Sequence, residues 1–345
     1  MKTALVLACD DRFIPYTSVV ARRAAFHARD KFPIIVVSDG VTDENKRLAQ
    51  KFCPEISFIE AAPFLADRTF YTTEFFPRAV NLRLFFDQIL ADFDTAVYID
   101  SDVSLLTDIS PLVAMKPKSA PVIAAYDLQI MEFGKYSGRL PMFEGSAYFN
   151  SGVLVMDLGA IREERVFDGA REFAQERPDL CAYPDQDALN VALNGRWQVL
   201  DWRWNAVGYK LHLLPKPPFL RHITGSKPWM PKKGGIERKL VEQWRSDLLE
   251  SPWPESFLPP AKEKLSLSIR PVTVVLEEYW KQLLYAKAPG RRGNKVRFNM
   301  HFASILASIE AAAAEGRLAS IFPEMSSAGI LTAAPAPIEP AAVIP

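Results

Sequence analysis

The sequence predicts an α/β fold whose sheet is parallel at least in its first half. Three observations predict it. Short apolar, β-prone runs alternate with helical patterns from residue 3 to about residue 60. Turn residues close the first runs, Cys9-Asp10-Asp11 after 3–8 and Asp39-Gly40 after 33–38. The run 95–106, TAVYIDSDVSLL, then sets Asp100 and Asp102 at the carboxyl end of a buried strand, the edge where open α/β sheets bind ligands.

In chain order, 3–8 reads as a buried strand and 14–29 as a helix with Val19, Val20, Ala24 and Phe26 for its inner face. Residues 33–38 form a second strand. Thr42 with Asn45 opens a helix through 51, and 56–59 is a third strand. A strong helical pattern over 79–90 surrounds a lone Arg83. Another strand is expected at 122–125 and a long loop at 128–145. A strand over 148–158 carries Asn150-Ser151-Gly152 at its start. Helices are expected at 161–175, 184–193 and 236–249, an aromatic strand-like stretch at 197–204 and a polar loop at 222–229. Beyond Pro254, residues 272–286 and 298–314 read as two helices joined by a basic stretch, and 325–345 is Ala/Pro-rich with almost no charge, a composition expected to be mobile.

Composition excludes several function classes. The chain has 345 residues, and Lys+Arg and Asp+Glu both number 41, so global charge gives no reason to expect nucleic-acid binding. Three scattered cysteines lack zinc spacing and point to a reducing cytosol. The apolar run 4–9 is too short for a signal peptide and is better explained as the first strand. No apolar stretch approaches the ~20 residues of a membrane span.

Paired carboxylates at i and i+2 are costly at a buried strand end unless something compensates them. Asp100 and Asp102 therefore read either as ligands of a hard divalent cation that would hold a diphosphate, or as a solvated acidic turn. Arg83 interrupts an apolar helix and needs a partner, either a carboxylate such as Asp185 or Asp100 or a bound ligand. Pro184-Asp185-Gln186-Asp187 is an acidic helix N-terminus or part of a reaction centre. Trp197, Trp202, Trp204 and Trp229 are core or sugar-stacking residues. Cys9 reads as a small buried residue. Lys232, Lys233, Arg238 and Lys239 form one basic cluster, and Lys287, Arg291, Arg292, Lys295 and Arg297 another. Each is a solvated face or a contact for anionic lipid that would keep the protein on the inner face of a membrane.

Five segments together resemble glycosyltransferase family 8, the retaining nucleotide-sugar enzymes that include glycogenins and bacterial lipopolysaccharide glucosyl- and galactosyltransferases. They are ALVLACDDRF at 4–13, Arg83, VYIDSDV at 97–103, YFNSGVLVMDL at 148–158 with PDQDALN at 184–190, and HITGSKPW at 222–229. The resemblance implies a GT-A fold over residues 1–250, with a helical, partly basic extension at 251–320 and a tail at 321–345 outside it. It implies a UDP-glucose or UDP-galactose donor, a glycan or glycolipid acceptor and Mn²⁺, with Mg²⁺ as the alternative. By resemblance, Asp100, Asp102 and His222 are the metal ligands, and Ser101 lies between the first two. Gly225 and Lys227 meet the diphosphate, and Ala8, Asp10 and Asp11 hold uracil and ribose. Arg12 departs from the small polar residue of several relatives and is given no role. Arg83 and Asn150 serve the donor site, Asp185 holds sugar hydroxyls, and Gln186 faces the reactive carbon. An amide is a poor nucleophile, so front-face attack through an ion pair is expected rather than double displacement. Two competing readings are a UDP-sugar-binding or self-glycosylating protein and a haloacid-dehalogenase-like phosphatase built on Asp100-Ser101-Asp102-Val103.

Overall fold

The structure is a computed structural model. It describes residues 2–65, 77–127, 139–142, 147–207, 216–224, 227, 229 and 238–253, with positions 280, 284, 307 and 311. The helices expected at 272–286 and 298–314, the second basic cluster, the Ala/Pro-rich tail, most of the 128–145 loop and Gly225 lie outside the described residues.

The first half alternates as expected: β1 (Thr3–Asp10), α1 (Ile14–His27), β2 (Ile34–Asp39), α2 (Asp43–Phe52), β3 (Ile56–Glu60) and a turn of helix, α3 (Ala62–Leu65). Thr42 caps α2 by accepting the Asn45 N–H at 3.3 Å. Phe26 departs from expectation, since it lies 83% exposed near the end of α1.

A 3₁₀ segment (Arg78–Phe85) leads into one turn of α-helix, α4 (Phe86–Ile89), where a continuous α-helix was expected. Three residues per turn bring Val80 and Arg83 to the same side, and both line the cavity described below. Then come β4 (Thr95–Ile99), β5 (Val103–Leu105), α5 (Ser110–Val113), β6 (Val122–Tyr126) and β7 (Phe149–Asp157). The amphipathic helix expected at 161–175 is two helices, α6 (Leu158–Glu163) and α7 (Val166–Glu176). They are divided at Arg165, whose φ of 52° is left-handed and cannot continue a helix. Next are α8 (Pro184–Leu193), β8 (Gln198–Val199), β9 (Ala206–Val207), β10 (Leu220–His222) and α9 (Arg238–Leu249). The stretch expected as one strand at 197–204 is β8 followed by a 3₁₀ turn over Trp202–Asn205.

Seven strands form the main sheet in the order β3-β2-β1-β4-β7-β6-β8. The β3-β2-β1-β4 half is parallel; β7 runs antiparallel to β4 and to β6. Alternation along each strand sends side chains to opposite faces. Leu5, Leu7, Val97 and Val155 pack with α1, α2 and α9, whereas Ala4, Val6, Tyr98 and Leu154 pack with the 3₁₀ segment, α4 and α6–α8. The chain builds outward from β1 to β3 and returns to β1's other side with β4, so the crevice between β1 and β4 is the switch point of the sheet. A three-stranded sheet, β5-β10-β9, sits beside it. Among the described residues no helix is long and apolar enough to cross a membrane.

Candidate active site

The metal-type cluster is assembled by strand pairing. Asp100 directly follows β4, and its N–H bonds to the Gly152 carbonyl of β7 at 2.9 Å. β5 begins one residue after Asp102 and pairs antiparallel with β10, with His222 opposite Val103. The Ile223 N–H then bonds to the Asp102 carbonyl at 3.1 Å. His222, expected in a polar loop, is thus the last residue of a strand. That register brings its ring beside the acidic pair across 120 residues of sequence.

His222 Nε2 lies 3.1 Å from Asp102 Oδ1 and 3.6 Å from Asp100 Oδ2. One ligand atom from each of the three residues falls within 4.8 Å of the others. Two carboxylates and an imidazole are a donor set for a divalent cation, with the nitrogen favouring a transition metal over Mg²⁺. Gly152 makes the approach possible. A Cβ there would lie 2.2 Å from His222 Cε1 and 2.8 Å from Asp100 Oδ2. Lys227 donates to Asp102 Oδ2 at 2.6 Å. Burial alone would raise the Asp102 pKa, but the neighbouring His222 ring and the Lys227 ammonium outweigh it and hold the carboxyl well below its usual range.

Arg83 is buried beneath this cluster. It donates to Asp100 Oδ1 and to the Ser151 carbonyl, both at 2.8 Å. Its Nε lies 3.1 Å from Asp185 Oδ2, an ion pair without hydrogen-bond alignment. The Tyr98 hydroxyl donates to Asp100 Oδ1 at 2.5 Å. Both carboxylates suggested for Arg83 are therefore its partners. Asp185 also accepts from Ser151 Oγ at 3.0 Å. Burial pushes its carboxyl up to about 6, opposed by Arg83 and reinforced by Asp100. Gln186 Oε1 accepts from the Ser151 N–H at 2.9 Å, and Nε2 donates to Asp127 at 3.2 Å and to the Tyr148 hydroxyl at 3.1 Å.

A cavity of about 580 Å³ joins these groups. Ala8, Asp10, Arg83, Asp100, Ser101 and Asp102 line it, as do Asn150, Asp185, Gln186, His222 and Lys227. Asp10 turns the chain into α1 by accepting the Arg12 and Phe13 N–H groups at 3.0 and 3.1 Å. Arg12, the departure from the family pattern, pairs with the same carboxylate at 3.2 Å. Asp11 does not line this cavity. Its Oδ1 accepts from the Thr42 N–H at 2.8 Å and Asn45 Nδ2 at 2.9 Å. Burial would raise Asp11, but the Asn45 and Thr42 hydrogen bonds prevail and lower it. Its place is at the α2 N-terminus, where the dipole favours a carboxylate.

Cys9 is buried, and burial pushes its thiol up to about 12, so it is no nucleophile at neutral pH. Trp202 and Trp204 are buried, and Trp197 packs on Tyr126 and Phe149. Trp229 alone of the four lines the cavity, stacked on Tyr16 at 3.9 Å. Sequence reasoning missed Asp127, Phe13, Tyr148 and Asn205. Asp127 carried a readable signal, a carboxylate just past the buried strand β6, as Asp100 follows β4. Asn205 carried none.

The mixed sheet with an acidic pair at its switch point is the arrangement of the GT-A fold, and the solved structures bear this out. The galactosyltransferase LgtC, solved in complex with donor and acceptor sugar analogues, shares the fold with a TM-score of 0.63 at 23% identity, covering 74% of this chain and 98% of that one. The chain belongs to glycosyltransferase family 8: the model of that family, described as Glycosyl transferase family 8, matches residues 4–232. General stress protein A of Bacillus subtilis (strain 168) is 27% identical over 57% of this chain and 76% of its own length. Lipopolysaccharide 1,2-glucosyltransferase of Escherichia coli (strain K12) is 29% identical over 60% of this chain and 65% of its own length, just under two thirds. Family membership sets aside the phosphatase reading. The Asp100 strand also lies fourth in sequence, in mid-sheet, rather than opening the core.

Proposed function

We propose that the chain is a retaining hexosyltransferase that moves glucose or galactose from a UDP-sugar to a glycan or glycolipid acceptor, with Mn²⁺ preferred over Mg²⁺. The observation that carries the reading is the convergence of Asp100, Asp102 and His222 in one cavity with Asp185 and Gln186. The relatives support the substrate class, since one is named a lipopolysaccharide glucosyltransferase and one structure is a galactosyltransferase bound to sugar analogues.

Asp100, Asp102 and His222 would hold the cation, which when bound acts as a Lewis acid on the departing diphosphate. Lys227 exchanges its contact with Asp102 for a phosphate oxygen. Ala8 and Asp10, at the end of β1, meet uracil and ribose, with the Phe13 ring in the same wall. Asn150 and Asp185 hold sugar hydroxyls, and Arg83 holds Asp100 and Asp185 in register. Asp185 is pinned by Arg83 and Ser151, which disfavours it as a free nucleophile. Gln186 Oε1 accepts the Ser151 N–H and lies 3.4 Å from Ser151 Oγ, whose single proton can go to Asp185 instead, which leaves a lone pair for charge developing at the anomeric carbon. Front-face attack follows, with the leaving UDP oxygen taking the acceptor's proton. The catalytic unit is residues 1–250, supported by α9 packing against the core through Trp244. Peripheral attachment to the inner face of a membrane would come from the basic clusters of the last third.

The test is UDP release from UDP-glucose, UDP-galactose and UDP-N-acetylglucosamine, with Mn²⁺ or with EDTA. One hexose donor should be turned over only with metal, and Asp102→Ala should lower that rate by about 100-fold or more, the loss of several kcal/mol of charge stabilisation. Metal-independent turnover unaffected by the substitution overturns the reading. UDP binding without turnover of any donor or acceptor favours a non-catalytic binding protein.

A further inference from the structure

We infer that Asn205 is the positioning residue that fixes His222 as an Nε2 ligand, and that it does so as one link of a buried amide chain joining the metal-type cluster to the sugar side of the cavity. The inference rests on the metal reading above.

The chain runs through side chains that are all nearly inaccessible to water. His222 Nδ1 is 3.0 Å from Asn205 Oδ1. Asn205 Nδ2 donates to Asn150 Oδ1 at 2.9 Å, and Asn150 Nδ2 donates to Asp127 Oδ2 at 3.0 Å. Gln186 Nε2 meets the same Asp127 oxygen at 3.2 Å. Asn205 is 2% exposed, His222 3%, Asp127 4% and Asn150 5%, so none has water as a ready substitute partner.

The polarity of the chain is dictated by a backbone group that cannot flip. The Gly152 N–H donates to Asn150 Oδ1 at 2.9 Å. That atom is therefore the amide oxygen, and Asn150 Nδ2 faces the Asp127 carboxylate. Asn205 must then present Nδ2 to Asn150 Oδ1, because the reverse would oppose two carbonyl oxygens. Its Oδ1 is left facing His222 Nδ1, which has to carry a proton to bond to it. Nε2 is thus the nitrogen that faces Asp100 and Asp102, and the one whose lone pair a cation held by them would take up. A partner on the distal ring nitrogen sets tautomer, ring orientation and basicity of a ligating histidine. Here that partner is a neutral amide, and its orientation is relayed from the β7 backbone. Gly152 acts at both ends: its missing Cβ admits the His222 ring, and its N–H sets the amide that orients it.

The experiment is Mn²⁺ titration of the donor-free protein, following free Mn²⁺ by EPR, for wild type, Asn205→Leu, Asn205→Asp and His222→Ala. Asn205→Leu should weaken Mn²⁺ binding about 10–100-fold, the usual range for loss of a ligand's outer partner. Its melting temperature in EDTA should fall no further than that of Asn205→Asp. Asn205→Asp keeps an acceptor for Nδ1–H but loses the donor to Asn150. It should retain most of the Mn²⁺ affinity and instead raise KM for the donor sugar. Equal loss of affinity in both Asn205 variants, or wild-type affinity in Asn205→Leu, overturns the inference. Wild-type affinity in His222→Ala overturns the metal reading instead. A measurement on the unsubstituted protein stands independently of how the variants fold. With Cd²⁺ bound, ¹⁵N-histidine NMR should show the His222 proton on Nδ1 and coupling to the metal at Nε2, in a chain with only four histidines. Metal coupling at Nδ1 overturns the inference.

Discussion

Lys227 Nζ lies 2.6 Å from Asp102 Oδ2, so a lysine ammonium already neutralises a carboxylate proposed to hold a metal. Burial would lower the Lys227 pKa, but the Asp102 charge outweighs it and raises it, so the lysine stays charged. In the proposed site, donor-free Lys227 would compete with a cation for Asp102, and with donor bound it would turn to phosphate. Lys227→Met should leave donor-free Mn²⁺ affinity unchanged or tighter while weakening UDP binding about 10–100-fold, the value of one charge-assisted hydrogen bond. Calorimetric titration with each ligand checks both. Unchanged UDP affinity would make Lys227 only a structural counterion.

Gly152→Ala should damage the site more than the fold. The added methyl would meet His222 Nδ1 at 2.6 Å as well as Cε1 at 2.2 Å, so the ring and the Asp100 carboxylate must shift to admit it. Overpacking of this kind costs about 1–3 kcal/mol. Urea unfolding should report that loss. Mn²⁺ affinity should fall by more than about tenfold, as expected when a ligand's orientation is disturbed.

Arg83 is the guanidinium partner of two carboxylates, half-buried Asp100 and buried Asp185, and removing it leaves them with only hydroxyl and ring contacts. Arg83→Met should destabilise the protein by about 3–5 kcal/mol. Asp185→Asn in the same background removes one of the stranded charges. The double variant should therefore be more stable than the sum of the single effects predicts. Additive urea-unfolding energies would show that Arg83 and Asp185 are not coupled.

The raised Asp185 pKa gives a signed pH dependence. The native carboxyl holds its proton up to about 6, whereas its ordinary value is 3.8. Between these values the native state binds more protons than the unfolded state, so stability from this group is full below about pH 4 and is lost as pH rises through 6. The change is on the order of 2–3 kcal/mol. Asp185→Asn should remove this slope from unfolding measured across the window. Activity should move the other way, because the charged form is the one proposed to accept sugar hydroxyls. For the wild type, kcat/KM should fall below about pH 6.

Much of the site was legible because its chemistry sits at strand ends. Asp10, Asp100 and Asn150 lie at or near the switch-point ends of β1, β4 and β7, and periodicity locates such ends without any knowledge of pairing. Asp185 and Gln186 were legible for a similar reason, since Pro184 marks a helix start. The bonding of Asp11 was not legible, because adjacent residues at a strand end point in opposite directions and only the position of α2 brings Thr42 and Asn45 to its carboxylate. The 3₁₀ winding around Arg83 was illegible for want of a local signal: the apolar spacing suits an α-helix, and the demands of the cavity prevail.

Local periodicity and residue types at short spacing suffice for the α/β class, the strands that build the sheet, the acidic pair and the family. The folded chain alone reveals that β10 pairs with β5 and sets His222 against Asp102, that Arg83 serves two carboxylates, and that Asn205 lies behind the His222 ring. Those relationships join residues 17 to more than 100 positions apart. They depend on register and side-chain direction, and both are settled only when the whole core closes.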